Sequence, residues 1–278
     1  MIIKTAFGEA RVLHRLALAV DCADAVTHSP LGTQVRIGAE VAPRLRTYPD
    51  DVTWPCADLL QHGLGRATRL HRPPMPANIT VRIADPTRRY VPRRLTTPLR
   101  TDADITASDN GTGPYIPVGS RELRPWLSPG SAYQMPRSTT AIRGRVMRDA
   151  TAARWPRITA IGPGGQAVGW AHGDDRGEFV LVIVSTGSLH PPAPSTLAVT
   201  LVVTAPANPP TVTEDPLADL VVETVPQSQV PPVASDLNSP LLQGRTTPPG
   251  YITSATPTNV TVPVGITTQL PTAVPFTV

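Results

Sequence analysis

The chain has 278 residues, enough for two domains of ordinary size, and carries a formal net charge of +4. Hydrophobic residues make up 40% of it, aromatic residues only 4%, and 34 residues are proline. Because proline breaks helices and cannot donate a ladder hydrogen bond, this composition argues against a mainly helical protein and favours short strands with extended connections.

The charge is unevenly distributed along the chain. Residues 1–150 hold 21 basic and 13 acidic residues, whereas residues 151–278 hold 4 basic and 8 acidic ones. Such asymmetry is compatible with nucleic-acid binding, and equally with head-to-tail packing of subunits steered by opposite charges. No run of 18 apolar residues occurs, and charged residues interrupt the apolar N-terminal segment. We therefore expect no membrane span and no signal peptide, and a protein that is made and kept in the cytoplasm unless a particle carries it out.

The first predicted domain covers residues 1–103 and consists of short strands. Apolar residues alternate with polar ones, the period of a half-buried strand, at 16–20, 35–37 and 79–83. A further strand pair is predicted to begin within HGLGRATRLH, and RRYVPRRLTTPL is predicted as the last strand. Pro92 would confine that last strand to a sheet edge or a bulge.

Residues 104–136 are polar, turn-rich and then proline-punctuated, which predicts a linker between domains. The second predicted domain spans residues 137–204. WPRITAIGPGGQAVGWAH is typical of a hairpin around a GPGG turn, and EFVLVIVS is apolar on both faces like a central sandwich strand. TLAVTLVVT is predicted to close this domain.

Residues 205–278 carry many prolines and few charges, and we expect a long extended C-terminal tail there. LADLVVETV within it suits one short helix or strand. Composition alone also permits disorder. The apolar, β-branched content suits instead a strap that adds a strand to a neighbouring subunit.

One stretch, residues 139–184, is similar to the carboxypeptidase-regulatory-like domain, a transthyretin-type β-sandwich. The matching residues are Ile142, Gly144 and Val146 in the opening strand, Pro156–Ile161 in the next, and the Asp-x-x-Gly-x-Phe pattern at Asp174, Gly177 and Phe179. Residues 1–103 resemble a diverged copy, interrupted by an insertion at about residues 38–62. The resemblance implies an all-β chain of two tandem transthyretin-like (prealbumin-like) sandwiches and says little about activity.

The overall layout, tandem sandwiches followed by a proline-rich tail, resembles accessory proteins of bacterial contractile injection systems, which are phage-tail-like particles. This resemblance implies a cap or adaptor component that joins tube and sheath to a terminator, or a baseplate component. It further implies a homo-oligomer, with a ring of six as the natural stoichiometry, and tube, sheath or terminator subunits as partners.

Known catalytic motifs are absent from the sequence. No histidine has a glutamate three residues on, and HExxH is missing, so no carboxypeptidase-type zinc site is expected. Gly-x-Ser-x-Gly is also missing, and Lys4 is the sole lysine, which excludes a Walker loop. GPGG at 162–165 has no following helix to hold phosphate, so it is better interpreted as a turn. We predict no catalytic, cofactor-binding or metal residues, no cofactor, and no enzymatic activity.

Three groups of residues still leave alternatives open. HGDDRGE clusters the oxygen and nitrogen donors of a metal site, or forms a solvated turn, through His172, Asp174, Asp175 and Glu178. Cys56 and His62 would suit a nucleophile with its base, whereas a core thiol needs no partner. Cys22 and Cys56 belong to no CxxC pair and are interpreted as structural thiols, whereas a disulfide between them would need an export route.

The densest basic cluster consists of Arg88, Arg89, Arg93 and Arg94. These guanidinium groups could contact phosphates, but Tyr90 is the sole interleaved aromatic residue, so nucleic acid is not the expected partner. Pairing with an acidic neighbour suits arginine better. The alternative function, a carbohydrate- or peptide-binding β-sandwich module, would need an exposed aromatic platform. Its candidates are Trp54, Trp126, Trp155 and Trp170.

Overall fold

A computed structural model describes residues 2–4, 10–12, 15–40, 54–72, 74–183, 194–208, 214–227 and 239–278. Within these ranges the chain is mostly strand, with one α-helix, α1 (Asp102–Asp109), and one 3-10 helix (Val118–Arg121). The predicted all-β class is confirmed. In the described ranges no helix has the length and apolar character needed to cross a membrane.

The strands are short, as the proline content predicts. Those before residue 130 are β1 (Ile2–Lys4), β2 (Ala10–Val12), β3 (Leu16–Asp21), β4 (Ala23–Asp24), β5 (Arg36–Glu40), β6 (Cys56–Asp58), β7 (Leu60–Gly63), β8 (Arg66–Leu70), β9 (Asn78–Ala84), β10 (Arg93–Pro98), β11 (Glu122–Leu123) and β12 (Trp126–Leu127). Those after it are β13 (Ala141–Arg148), β14 (Thr151–Ala152), β15 (Arg157–Ile161), β16 (Ala167–His172), β17 (Glu178–Val182), β18 (Thr196–Pro206), β19 (Glu223–Thr224), β20 (Tyr251–Thr253), β21 (Thr258–Pro263), β22 (Thr267–Gln269) and β23 (Val274–Pro275).

Two sheets enclose the core of the N-terminal unit, which comprises β3 to β12 with α1 and the 3-10 helix. One has the order β19-β10-β9-β5-β6 and the other β11-β3-β8-β7. Ile79, Val81 and Ile83 of β9 point into this core and are 3% exposed or less, as their alternation predicts. They pack with Val20 of the opposite sheet. Burying one such aliphatic side chain stabilises the fold by about 1.5–3 kcal/mol.

β10 lies between β9 and β19, so the prediction of an edge or bulged strand is wrong. Pro92 stands one residue before β10 begins, and its missing amide hydrogen therefore costs the ladder nothing. β19 comes from the C-terminal part of the chain and pairs in parallel with β10 through Leu95 and Thr96.

The structure also corrects the predicted linker at residues 104–136, which packs on the N-terminal unit. β11 pairs in parallel with β3, and β12 with β4. α1 begins with a capping box, in which the side chain of Thr101 accepts from the amide of Asp104 and the Asp104 carboxylate accepts from the Thr101 amide. Ile105 anchors the helix in the interior.

A second pair of sheets forms the C-terminal unit, which comprises β13 to β18 and β20 to β23. β13 pairs with β14, β17, β22 and β23, and the other sheet has the order β16-β15-β18, with β20 and β21 both pairing with β18. β15 and β16 form the predicted hairpin around the GPGG turn. Apolar side chains of both sheets, among them Ile142, Ile158 and Phe179, share one core.

The predicted extended tail is wrong for residues 251–278. β20 and β21 pair antiparallel with β18, and β22 and β23 pair in parallel with β13. Val262, Val274 and Phe276 are 2% exposed or less and belong to the core of the C-terminal unit. The β-branched pattern that suits a neighbour's sheet is used instead to complete the chain's own sheets.

Candidate functional site

A cleft of about 320 Å³ opens between the two units and is the candidate functional site. Its walls are aromatic and proline-rich, and charged side chains stand among them. The residues that line it are Arg36, Trp54, Ala84, Asp85, Pro86, Arg88, Tyr90, Val91, Pro92, Gly130, Ser131, Trp155, Asp174, Asp175, Pro216 and Leu217.

The loop after β9 forms one side of this cleft and is shaped by Asp85. One carboxylate oxygen of Asp85 accepts from the amide and hydroxyl of Thr87, and the other accepts from the amides of Arg89 and Tyr90. These bonds close a tight turn in which Arg88 has a φ of 58°, a conformation that is costly outside glycine. The turn directs the Arg88 guanidinium towards the C-terminal unit.

Asp174 and Asp175 of the C-terminal unit receive that guanidinium. Arg88 donates to Asp174 at 3.4 Å and to Asp175 at 3.1 Å. Asp174 also accepts from the amides of Arg176 and Glu178, both at 2.9 Å, which holds the Asp-x-x-Gly turn. An ion pair therefore crosses the cleft between two turns that are each fixed by an aspartate.

The donors of the considered metal site are each engaged by another partner. The buried His172 donates from Nε2 to the carbonyl of Gly244 at 2.8 Å, and Glu178 accepts from Arg176 at 2.8 Å. Asp174 and Asp175 face Arg88, as described above. Within the described ranges no group of three or more His, Cys, Asp and Glu side chains is arranged to hold a metal ion.

Two stretches of chain, residues 214–227 and 239–250, run between the units, and we call them the bridging segments. The first supplies Pro216 and Leu217 to the cleft. Arg82 of β9 holds Asp215 through two hydrogen bonds of 2.9 and 2.7 Å. From the C-terminal unit, Arg154 binds the carboxylate of Asp219. The first bridging segment is thus attached to both units by arginine–carboxylate pairs.

Glu40 of β5 supports this attachment, because it pairs with both Arg82 and Arg94. Burial raises the pKa of the Glu40 carboxyl, but hydrogen bonds from Arg94 and Arg82 outweigh burial, and the pKa lies below its ordinary value. Arg94 in turn donates to the carbonyls of Ala218 and Leu220, both at 3.2 Å.

The most deeply buried contact between the units centres on Glu223 of β19. Its carboxylate accepts from Nε and Nη2 of Arg93 at 3.0 and 2.9 Å, and from Arg157 of β15 at 3.2 Å. The Arg93 side chain has no exposed surface, and that of Glu223 is 3% exposed. Arg93 also donates to the carbonyls of Leu241 and Leu242 in the second bridging segment. Burial of the Arg93 guanidinium lowers its pKa, and the nearby charge of Glu223 partly offsets this decrease.

These contacts divide the predicted basic cluster. Arg88 crosses the cleft, Arg93 is buried with Glu223, and Arg94 pairs with Glu40, so the cluster does not form one basic surface. The acidic partners Asp215 and Glu223 belong to no motif in the sequence and were not predicted. A signal existed in the charge asymmetry, since acidic residues of the C-terminal half are opposed by an excess of arginine before residue 150.

The four tryptophans do not form one platform. Trp54 and Trp155 line the cleft but are 6% and 3% exposed, so the cleft meets only parts of their rings. Arg36 lies 4.5 Å from the ring centre of Trp54. Trp126 and Trp170 lie elsewhere, both near Arg245, whose guanidinium is 5.9 and 4.4 Å from their ring centres.

Trp155 is held in an unusual conformation at the cleft. Its φ is 55°, in the left-handed region that a bulky side chain rarely adopts. The indole N–H is buried without a hydrogen-bond partner among the described residues. The Trp155 carbonyl accepts from the hydroxyl of Tyr251 at 2.8 Å, so β20 helps to hold this residue in place.

The cysteines are both free thiols, and the pair considered as nucleophile and base is not formed. His62 Nε2 lies 2.7 Å from the hydroxyl of Thr68. Burial raises the pKa of the Cys56 thiol to about 12, and burial also raises that of Cys22. A thiolate is therefore disfavoured at both positions near neutral pH.

The cleft can accept an apolar or aromatic group between its tryptophan and proline walls, next to an arginine–aspartate pair. Comparison with protein-family models, with curated proteins and with solved structures gave no match to this chain.

Proposed function

We propose that the protein is a non-enzymatic structural adaptor in a multi-subunit particle, a cap-region or baseplate component of a contractile injection system. The observation that carries the proposal is the way in which the bridging segments join the two units. β19 completes a sheet of the N-terminal unit, and residues 251–278 then complete both sheets of the C-terminal unit. Each unit therefore contains strands that come after strands of the other unit in the sequence.

Such interlocking suits a part that transmits force or holds a fixed spacing. Pulling the units apart would strip β19 from β10 and break the arginine–carboxylate hydrogen bonds that attach the first bridging segment to both units. Arg93 and Arg157 share Glu223 at this contact, and Arg154 binds Asp219 four residues earlier in the same segment. A sliding or hinged enzyme would need these contacts to open.

The groups that sequence analysis weighed as chemical candidates also have structural roles. His172 fixes the second bridging segment through Gly244, Asp174 shapes a turn, and Cys56 lies against Gly38 with a raised pKa. These engagements favour an architectural role for residues that catalysis would need free.

The proposed partners are further copies of the chain, with a ring of six as the working stoichiometry, and tube, sheath or terminator subunits in the cytoplasm. We do not propose contact through a free C-terminal strap, because residues 251–278 pack within the chain's own C-terminal unit. Neighbours would instead meet the outer surfaces of the joined units.

The test is isolation of the particle from the native host. A short affinity tag fits after Val278, which is 85% exposed. We expect the tagged chain to co-purify with tube and sheath proteins in a high-mass fraction and to appear at one end of the particle in electron micrographs. A Phe276→Ala chain with the same tag serves as the matched control, because loss of core packing should remove it from the particle. A tagged wild-type chain that occurs solely as a low-mass species would contradict the proposal.

A second function, binding of a carbohydrate or peptide, is favoured by one observation, the aromatic cleft of about 320 Å³ between the units. Pockets of this volume accept small ligands. Glycan arrays and proline-containing peptides would be screened, and hits titrated by tryptophan fluorescence. Trp54→Phe should weaken a true cleft ligand, whereas Trp126→Phe, which lies outside the cleft, should not. Equal effects of the two substitutions would exclude the cleft.

A further inference from the structure

Among the strands that the structure describes, β21 lies at an outer edge of its sheet in the C-terminal unit. It pairs with β18 over six residues, from Thr258 opposite Leu201 to Pro263 opposite Thr196. Among the described residues no strand pairs with its other side. An unpaired strand edge presents N–H and C=O groups that another strand can bind.

The direction of these groups follows from the register. The amide of Val264 donates to the carbonyl of Ser195, next in line after the Pro263–Thr196 pair. Backbone groups alternate in direction along an antiparallel strand, so those of even-numbered residues face β18. The N–H and C=O groups of Asn259 and Thr261 therefore face outwards.

A proline limits the free edge of β21 at each of its two ends. Pro257 and Pro263 have odd numbers, so each would face outwards, and neither has an amide hydrogen to offer a partner strand. The stretch open to pairing is Thr258–Val262, with Val260 at its centre.

Between these two prolines the edge carries no further protection against another strand. Natural edge strands carry lysine or other charges that prevent pairing. Here no charged residue occurs anywhere from 246 to 278. The side chains of Asn259 and Thr261 are exposed and neutral, and Val260 is half-buried against the core. Because the edge carries no charge, a second uncharged strand of the same sequence can pair with it without like-charge repulsion.

We propose that β21 pairs with β21 of a second copy of this chain, in antiparallel orientation about a two-fold axis at Val260. In this register Asn259 lies opposite the second copy's residue 261, and Thr261 opposite its residue 259. Both are positions whose backbone groups face outwards, so four backbone hydrogen bonds form. Thr258 and Val262 meet across the pair, and the prolines of both copies fall outside it.

This inference goes beyond the particle assignment and does not depend on it, because it is argued from the edge alone. A strand pair of five residues is smaller than a standard interface, which buries about 1,600 Å². Dimerisation should therefore be weak and should depend on protein concentration.

The test is sedimentation equilibrium of the full chain over a range of concentrations. We expect a monomer–dimer equilibrium for the wild type. The variant Asn259→Asp with Thr261→Asp should dimerise at least about tenfold more weakly, since carboxylates then lie opposite each other at both pairs. Aspartate at 259 keeps the oxygen that accepts from Thr200, so β21 should stay in place. The matched control, Thr196→Asp with Ala198→Asp, puts the same charges at exposed positions of β18, one strand away from the edge.

Charge reversal separates pairing from misfolding. Mixing the doubly aspartate variant with Asn259→Lys, Thr261→Lys should restore association as a heterodimer, and hydrogen exchange should show protection of the amides of residues 259 and 261 in the dimer. A wild-type chain that stays monomeric at all concentrations would overturn the proposal. A dimer that the aspartate pair weakens no more than the β18 control would overturn it equally.

Discussion

The contact around Glu223 gives the sharpest stability prediction. Glu223→Gln keeps the size of the side chain and removes its charge. Two guanidinium groups, of Arg93 and Arg157, then lose the carboxylate that accepts three hydrogen bonds from them. Arg93 has no exposed surface from which water could replace the lost partner.

The expected size of the effect follows from this burial. Removing one partner of a buried ion pair destabilises a protein by about 3–5 kcal/mol, because the remaining charge stays in the interior. Arg93 keeps its carbonyl acceptors Leu241 and Leu242, so we expect the lower end, about 3 kcal/mol. That is a large part of the roughly 5–15 kcal/mol by which a folded chain is stable.

Urea unfolding followed by tryptophan fluorescence measures this loss. Asp21→Asn is the matched control, because Asp21 pairs at 3.1 Å with Arg66, whose side chain is 55% exposed. Surface pairs of this kind contribute about 0–1 kcal/mol. If Glu223→Gln lowered the free energy of unfolding no more than Asp21→Asn, the contact would not hold the units together as we argue.

Three further outcomes follow from the structure. Phe276→Ala should lower the free energy of unfolding by about 3–5 kcal/mol in urea titrations, whereas Val278→Ala, at an 85% exposed position, should change it by less than about 0.5 kcal/mol. Because the pKa of Glu40 is depressed, its contribution to stability is complete above its ordinary value of 4.5 and is lost as pH falls below that value. Glu40→Gln should therefore show a smaller loss of stability on acidification through that range. Cys56, with a pKa of about 12, should react with a thiol reagent at pH 8 far more slowly in the folded chain than in urea.

Local patterns predicted local structure well. The alternation at Ile79, Val81 and Ile83 indicated a strand and its buried face, and GPGG indicated the hairpin. Both depend on interactions between residues close in sequence, which a single chain displays directly. The capping box of Thr101 and Asp104 was equally local, but it spans the boundary between the predicted first domain and the predicted linker.

The pairing of distant segments could not be predicted in the same way. β19 lies on β10 across more than a hundred residues, and its two paired residues carry no pattern that identifies the partner strand. The cleft has the same origin. Trp54, Trp155 and Pro216 come together solely because the bridging segment returns to the N-terminal unit. Loop length costs little in closure entropy, so the sequence separation itself places no strong limit on such a return.

The charge asymmetry shows that attraction between two parts of a protein can be predicted from its sequence, but that the location of the partner cannot. An excess of arginine in the first half and of acid in the second indicates that the halves attract each other. The same complementarity holds whether the partner belongs to the same chain or to another copy. Asp215 and Glu223 meet Arg82 and Arg93 within one chain, so attraction predicted between subunits acts inside the subunit. The uncharged stretch from residue 246 onwards takes no part in that attraction. Contact between copies is then better sought where charge is absent, at the edge of β21, than where it has already been neutralised.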